Sequence, residues 1–361
     1  MSMDVDHTAL LAALVERGAS DLLCKAGTPP AFRIGGALVR DDVDPALGDP
    51  LTAEEVAVLA QQLLTPEQQQ ALLRDGTVVV AHSSPGVGRF RIAVFRQRGS
   101  AAIVVHAVPD EIAPLDELGL PEAVTALASG DRGLVLVASP VGNGATTTLA
   151  AMVDHVNRTR PCHVVTVDDP IEVLHRDQHG VVSQLEVPND VASLADGVRA
   201  ASRFDADVVA VSDITDRDVA VAALDAVARG RLVLAVIGGN DVRAVVDGFL
   251  ELFPFEERPN VRQTLARSLA GVVVQRLLPG VDSRRHPAVE VLVNTPKIQR
   301  VLADETRMDE LLPLMAEGVF HGMQTMDQSL RDHVRAGRFS EGTALAAATD
   351  AEELRIELLR G

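Results

Sequence analysis

Residues 139–148 read SPVGNGATTT and follow an apolar run, GLVLVA, at 133–138. Two closely spaced glycines between a buried strand and a helix opening with Thr make the kind of loop whose backbone N–H groups cradle phosphate. The positive pole of the helix N-terminus adds to that attraction. On this basis Ser139, Pro140, Gly142, Asn143, Gly144, Ala145, Thr146 and Thr147 are the candidate phosphate-binding residues, with the Thr146 hydroxyl as a Mg²⁺ ligand if nucleotide binds. One position breaks the chemistry. Such a loop carries Lys before its first hydroxyl residue, because that ammonium reaches the outer phosphates, and here the position is Ala145. The chain holds only two lysines, Lys25 and Lys297, both far from the loop in sequence, so a shifted Lys does not replace it. An Arg from a neighbouring subunit remains open.

The elements that would position this loop follow from periodicity. GLVLVA, HVVTVDDP (163–170), GVVSQLEV (180–187), ADVVAVSD (206–213) and RLVLAVIGG (231–239) are apolar runs of strand length, separated by amphipathic helical stretches after Thr146, near 191–203 and over 216–229. Alternation of this kind predicts an α/β fold with a mostly parallel sheet buried on both faces. Beyond Pro259 the pattern predicts mainly helix, apart from a strand at AVEVLVN (288–294).

Upstream lies a smaller α/β module over about residues 1–110. A helix over 7–17 precedes the short strands AFRIGG (31–36) and ALVRD (37–41), which Gly residues divide. LTAEEVAVLAQQLL opens on the capping pair Thr52 and Glu55, and TPEQQQALLRDG follows with Pro in its first turn and Gly at its end. Three strands, TVVVAHS, RFRIAVFRQ and AAIVVHAVP, come next. The Pro- and acid-rich stretch 109–124 is the expected linker, and the expected segments are 1–110, 111–290 and 291–361.

Composition narrows the partners. With 47% apolar and 23% charged residues, the chain is an ordinary globular sequence, but aromatics reach only 2% and all are Phe, so its cores are built from Ala, Val, Leu and Ile. A net charge of −18 argues against a nucleic-acid groove, which gathers Lys and Arg to replace counterions. Cys24 and Cys162 share no metal-type spacing and are expected as free thiols in a reducing cytoplasm. No signal peptide is expected at MSMDVDHTALLAALVERGAS, which lacks a basic start, and no apolar run approaches the ~18 residues of a membrane span. The sequence thus predicts no direct membrane insertion.

From the first helix to about residue 340 the chain resembles the PilT-like retraction ATPases of the type IV pilus, within the secretion ATPase superfamily. The resemblance is carried by GASDLLCKAGTPPAFRIGG, GLVLVASPVGNGATTTLAAMVDHVN, HVVTVDDPIEVLH, DVVAVSDITDRD and QRLLP, and later by PAVEVLVNTPKIQRVL and HGMQTMDQSL, which are peculiar to the retraction branch. It implies an N-terminal PAS-like domain, a RecA-like P-loop core and a C-terminal mainly helical part. It also implies a hexameric ring with nucleotide between subunits, working through a platform protein at the cytoplasmic side of the inner membrane in twitching motility.

The same resemblance marks five departures. Ala145 replaces the Walker A Lys. Asp168 replaces the leading Glu of the Asp box, with Asp169, Pro170 and Glu172 following. At the Walker B position Ser212 and Asp213 stand for Gly-Glu, and Thr215 for an Arg. Gly238 stands where the His box has its His, in the run Ala235, Val236, Ile237, Gly238, Gly239. The N-terminal arginines that reach a neighbour's nucleotide align with Gly99 and His106, although Arg98 is adjacent. Each shortened acid withdraws its carboxylate by about 1.5 Å, a serious loss for a general base that must touch its water.

Asp168 and Asp213 are therefore candidate but impaired catalytic groups, with Glu172 a third candidate, or these acids and Asp169 are carboxylates that now cap and solvate strand ends. The loop is either a cradle for ATP or ADP with Mg²⁺ or a strand-to-helix turn that binds nothing. The expected function is a catalytically impaired pseudo-ATPase of the pilus machinery. It would be a regulatory or structural subunit in a homo-hexamer or in a mixed ring with an active PilT-like motor. The alternatives are a slow but active retraction motor using an Arg in trans, and a nucleotide sensor without hydrolysis.

Overall fold

The computed structural model describes residues 6–34, 37–40, 49–108, 111–282 and 284–359. The ends of AFRIGG and ALVRD, and the first two residues of the expected linker, lie outside that set. Two compact units result, Met1–Glu111 with Pro170–Leu174, and Ile112–Asp169 with His175–Gly361.

The first unit is an antiparallel six-stranded sheet in the order β3-β2-β1-β6-β5-β4. Its strands are β1 (Asp21–Lys25), β2 (Ala31–Ile34), β3 (Ala37–Arg40), β4 (Thr77–Ser84), β5 (Gly88–Gln97) and β6 (Ser100–Val108). In β5 every second residue, Phe90, Ile92 and Val94, is fully buried, the alternation of a sheet with one covered face. Helices α1 (His7–Glu16) and α2 (Ala53–Leu63) supply the cover through Leu10, Leu14, Val56 and Leu59. Both ends of the Thr52–Glu55 capping box are made at the start of α2. Helix α3 (Pro66–Asp75) begins with a second such box and ends on the left-handed Gly76.

The second unit is built on a seven-stranded sheet in the order β13-β12-β7-β11-β10-β8-β9. Strands β7 (Gly133–Ala138), β8 (His163–Asp168), β9 (Val181–Glu186), β10 (Val208–Val211) and β11 (Leu232–Ile237) are parallel to their neighbours. All six residues of β7 are buried, as a strand covered on both faces requires. Helix α4 (Glu122–Ala128) and α5 (Ala145–Thr159) cover one face, and α6 (Leu194–Arg203), α7 (Arg217–Ala228), α8 (Val242–Glu251) and α9 (Arg258–Ser268) pack into the core on the other. Because these cores are Ala- and Val-rich, backbones approach closely. A Cβ on Gly197 of α6 would collide with Val167 of β8.

The region after Pro259 departs from the sequence expectation. Where mainly helix was expected, the structure has an eleven-residue strand, β12 (Leu269–Pro279), parallel to β7 and antiparallel to β13 (Arg285–Val293). The apolar spacing of LARSLAGVVV runs on smoothly from α9 and hides the junction, although the β-branched run Val272–Val274 is a strand signal. The C-terminal helices α10 (Pro296–Leu302), α11 (Leu311–Glu317), α12 (Met326–Arg335), α13 (Glu341–Ala347) and α14 (Ala351–Leu359) follow. Met308, Met315, Met323 and Met326 are all buried, so these flexible side chains serve packing. Among the described residues no helix is long and apolar enough to cross a membrane.

Candidate functional site

In a parallel sheet the loops beyond the carboxyl ends of the strands form the binding edge. Here β7, β11, β10 and β8 stand side by side and deliver, in that order, the loop 139–144, Gly238, Ser212 with Asp213, and Asp168. Four of the five departures seen in the sequence therefore share one edge of unit 2.

The loop is a tight turn of left-handed glycines running into the start of α5. The Asn143 N–H donates to the Pro140 carbonyl at 3.0 Å, and Gly142 and Gly144 take left-handed φ values of 76° and 90°. At Gly144 only Gly fits, since a Cβ would lie 2.7 Å from the Gln275 Nε2. Helix α5 starts without a side-chain cap. Among the described residues, the N–H groups of Gly142, Gly144, Ala145, Thr146 and Thr147 meet no acceptor. Unsatisfied donors at a helix N-terminus are what an anion binds. Ala145 itself is only 7% exposed and sits in the apolar cluster with Leu149, Val135 and Val137. Thr147 is exposed, and Ser139, Pro140 and Thr146 are half-buried.

What holds the loop was not visible in the sequence. The Thr148 hydroxyl donates to Gln275 Oε1 at 2.7 Å, and Gln275 Nε2 donates to the Asn143 carbonyl at 2.7 Å. The Leu277 N–H donates to Asn143 Oδ1 at 2.8 Å. Strand β12 thus ties down both the loop and the first turn of α5. Arg285, at the start of β13, places its guanidinium on the loop's outer lip, donating to the Gly142 carbonyl at 3.4 Å.

The acids sit further along the edge. Asp168 Oδ2 accepts from the Thr166 hydroxyl at 2.6 Å, which holds the carboxylate back along its own strand. The Asp169 N–H donates to the Ser212 hydroxyl at 3.2 Å, and the Ser212 N–H to the Val167 carbonyl at 3.0 Å, so the ends of β8 and β10 are stitched together. Burial pushes the Asp213 carboxyl above its ordinary range, opposed by the Ile214 N–H. Glu172 is exposed and falls in the segment Pro170–Leu174 grouped with unit 1.

At the His-box position a Cβ on Gly238 would meet nothing within 4 Å, so a side chain has room there, whereas one on Gly239 would strike Val245. Lys297 lies in α10 and pairs with Glu317 at 3.7 Å. Lys25 is on β1 of unit 1, exposed. In the same unit Arg98 and Gly99, both with positive φ, form the two-residue turn between β5 and β6, and His106 is held by Asp21 at 3.1 Å.

Residues 75–337 match the family model described as "Type II/IV secretion system protein". The chain belongs to that family. Within it, the chain is homologous to the pilus retraction ATPases. It is 32% identical to the type IV pilus retraction ATPase PilT of Pseudomonas aeruginosa over 94% of this chain and 97% of that protein. It is also 32% identical to the type IV pilus ATPase PilU of the same organism, over 99% and 92%. A crystal structure of the pilus retraction motor PilT with bound ADP superposes with a TM-score of 0.88 at 33% identity, covering 98% of this chain and all of that one. The Legionella pneumophila ATPase DotB, at 23% identity and a TM-score of 0.77, shares the fold. The α/β architecture predicted for this chain, a P-loop core with an N-terminal α/β domain and a helical C-terminal part, is the one this family member has.

Proposed function

We propose that this PilT-like family member is a pseudo-ATPase of the type IV pilus and twitching machinery. It binds nucleotide in a preserved cradle and acts by contact, as a regulatory or structural subunit. The observation that carries this reading is Ala145, a methyl group packed into an apolar cluster where transferring phosphoryl charge needs an ammonium.

The cradle fits a nucleotide's phosphates. The uncapped amides of Gly142, Gly144, Ala145, Thr146 and Thr147 would hold the oxygens, Thr146 would offer its hydroxyl to Mg²⁺, and a side chain at Gly144 would be excluded. The ADP bound to the related motor supports the same occupant here. Losing one charge-assisted hydrogen bond weakens binding by about 1.5–3 kcal/mol, which leaves affinity reduced but present. Turnover suffers more, because the charge that develops in the transition state goes unmatched, Asp168 is retracted and Gly238 offers no imidazole.

The resemblance to the retraction ATPases implies a ring of six copies, or a mixed ring with an active motor. That ring would be cytoplasmic and peripheral at the inner membrane, held there through the pilus platform protein. A slow motor is the second reading, favoured by Asp213, whose raised carboxyl is the stronger base once ionised. Phosphate release from Mg·ATP distinguishes the two. A rate no higher than that of the Asp168→Ala/Asp213→Ala variant supports the pseudo-ATPase, and a clearly higher one establishes the motor.

A further inference from the structure

The loop between β7 and α5 carries no cation of its own, yet a guanidinium stands against it. Arg285 opens β13 opposite Pro279 of β12, and its Nη1 reaches the Gly142 carbonyl at 3.4 Å. That bond is long, so the contact is loose, and a guanidinium has five N–H donors of which this engages one. Among the described residues Arg285 forms no ion pair. The nearby acid Asp282 is occupied by His286, at 2.9 and 3.0 Å, and by the Arg284 N–H at 3.0 Å. Arg276 of β12 is committed to the carbonyls of Asn240 and Ala347 at 2.9 and 3.1 Å.

The position of Arg285 is also set by the scaffold. Gln275 and Leu277 bind Asn143 from β12, and β13 pairs with β12 from Arg285 to Val293, so the arginine's backbone and the loop are held by one ladder. A planar guanidinium matches phosphate oxygens in pairs and stays charged at any working pH.

We propose that Arg285 is the cation that neutralises the phosphate chain of a nucleoside di- or triphosphate in this chain, taking over in cis the binding role of the ammonium absent at Ala145. This rests on the nucleotide-binding reading above. Arg285 approaches from the lip of the loop and not from its floor, so it restores affinity without restoring the charge match on a transferring phosphoryl. The notion of a rescuing arginine then needs no neighbouring subunit.

Calorimetric titration of the full chain with Mg·ADP and Mg·ATP tests it, since the absence of Trp and Tyr removes intrinsic fluorescence as a probe. The wild type binds both. Arg285→Ala loses about ten-fold or more in affinity, with ATP losing more than ADP, and the salt dependence of binding becomes shallower. Arg285→Gln, which keeps a donor for Gly142 but no charge, shows the same loss, while Arg285→Lys recovers part of it. Unchanged thermal midpoints of the nucleotide-free variants show that the fold is intact. If the wild type binds and Arg285→Gln binds equally well, the assignment of Arg285 is overturned and the nucleotide reading stands. If the wild type binds neither nucleotide, both are overturned.

Discussion

The hydroxyl of Thr148 donates to Oε1 of Gln275 at 2.7 Å across 127 residues of sequence, and both side chains are almost wholly buried. The same amide turns its nitrogen to the Asn143 carbonyl, so one side chain joins the first turn of α5 to the loop before it. The shape of the loop is consequently set by the sheet. Pre-formed donors of this kind bind an anion without an ordering cost.

Gln275→Ala should leave the Thr148 hydroxyl buried and unpaired. A loss of about 1–3 kcal/mol in unfolding free energy is expected, with faster hydrogen exchange confined to 142–148. Denaturant melts and exchange mass spectrometry check the two parts. Exchange as slow as in the wild type would mean the loop is held by other means.

Helix α6 lies against β8 so closely that Gly197 has no room for a methyl group beside Val167. Gly197→Ala should therefore destabilise by roughly 1–3 kcal/mol despite the better helix propensity of Ala, because the core of this unit is close-packed and cannot give way. The check is the denaturant midpoint. A stabilised variant would place the helix further from the sheet than described.

Glu290 on β13 is buried, and that burial pushes its carboxyl up to about 7, opposed by the Val242 N–H at 3.3 Å. Asp241, Asp327 and Arg276 are the charged groups that act on it, the two acids raising it further and the arginine lowering it. With the folded value above the unfolded one, the folded state keeps a proton that the unfolded chain has lost. The stabilisation is complete below the unfolded value near 4.5 and disappears as pH rises through about 7.

His175, which burial brings down to about 4, acts in the opposite sense between about 4 and 6.5, so the wild type alone does not reveal either group. The difference between Glu290→Gln and the wild type does. Relative to the wild type, the variant should gain about 3 kcal/mol in stability from pH 4.5 to 7.5, read from chemical melts at each pH. A difference independent of pH would show that Glu290 titrates normally.

Parts of this site are legible in the sequence alone. The run GLVLVA, the two glycines and the Thr that follows announce a strand, a turn and a helix by local rules alone, and Asp168 and Asp213 close apolar runs of strand length. Gln275 and Arg285 were not legible. Their contacts join the loop to residues more than 130 positions away, and β12, which carries one of them, reads as a continuation of α9 because its apolar spacing suits both. Period tells which face of an element is buried, not which distant side chain meets it. Nor does the sequence show that Ala145 is closed into the core, which is a property of packing.

Steady-state phosphate release from saturating Mg·ATP, followed over a range of protein concentrations so that any assembly is sampled, is the most direct measurement of whether this fold has outlived its turnover. The wild type should stay at the level of the Asp168→Ala/Asp213→Ala variant at every concentration, and Ala145→Lys alone should not raise it. Release well above that level by the wild type, or a large gain from Ala145→Lys by itself, would contradict the account.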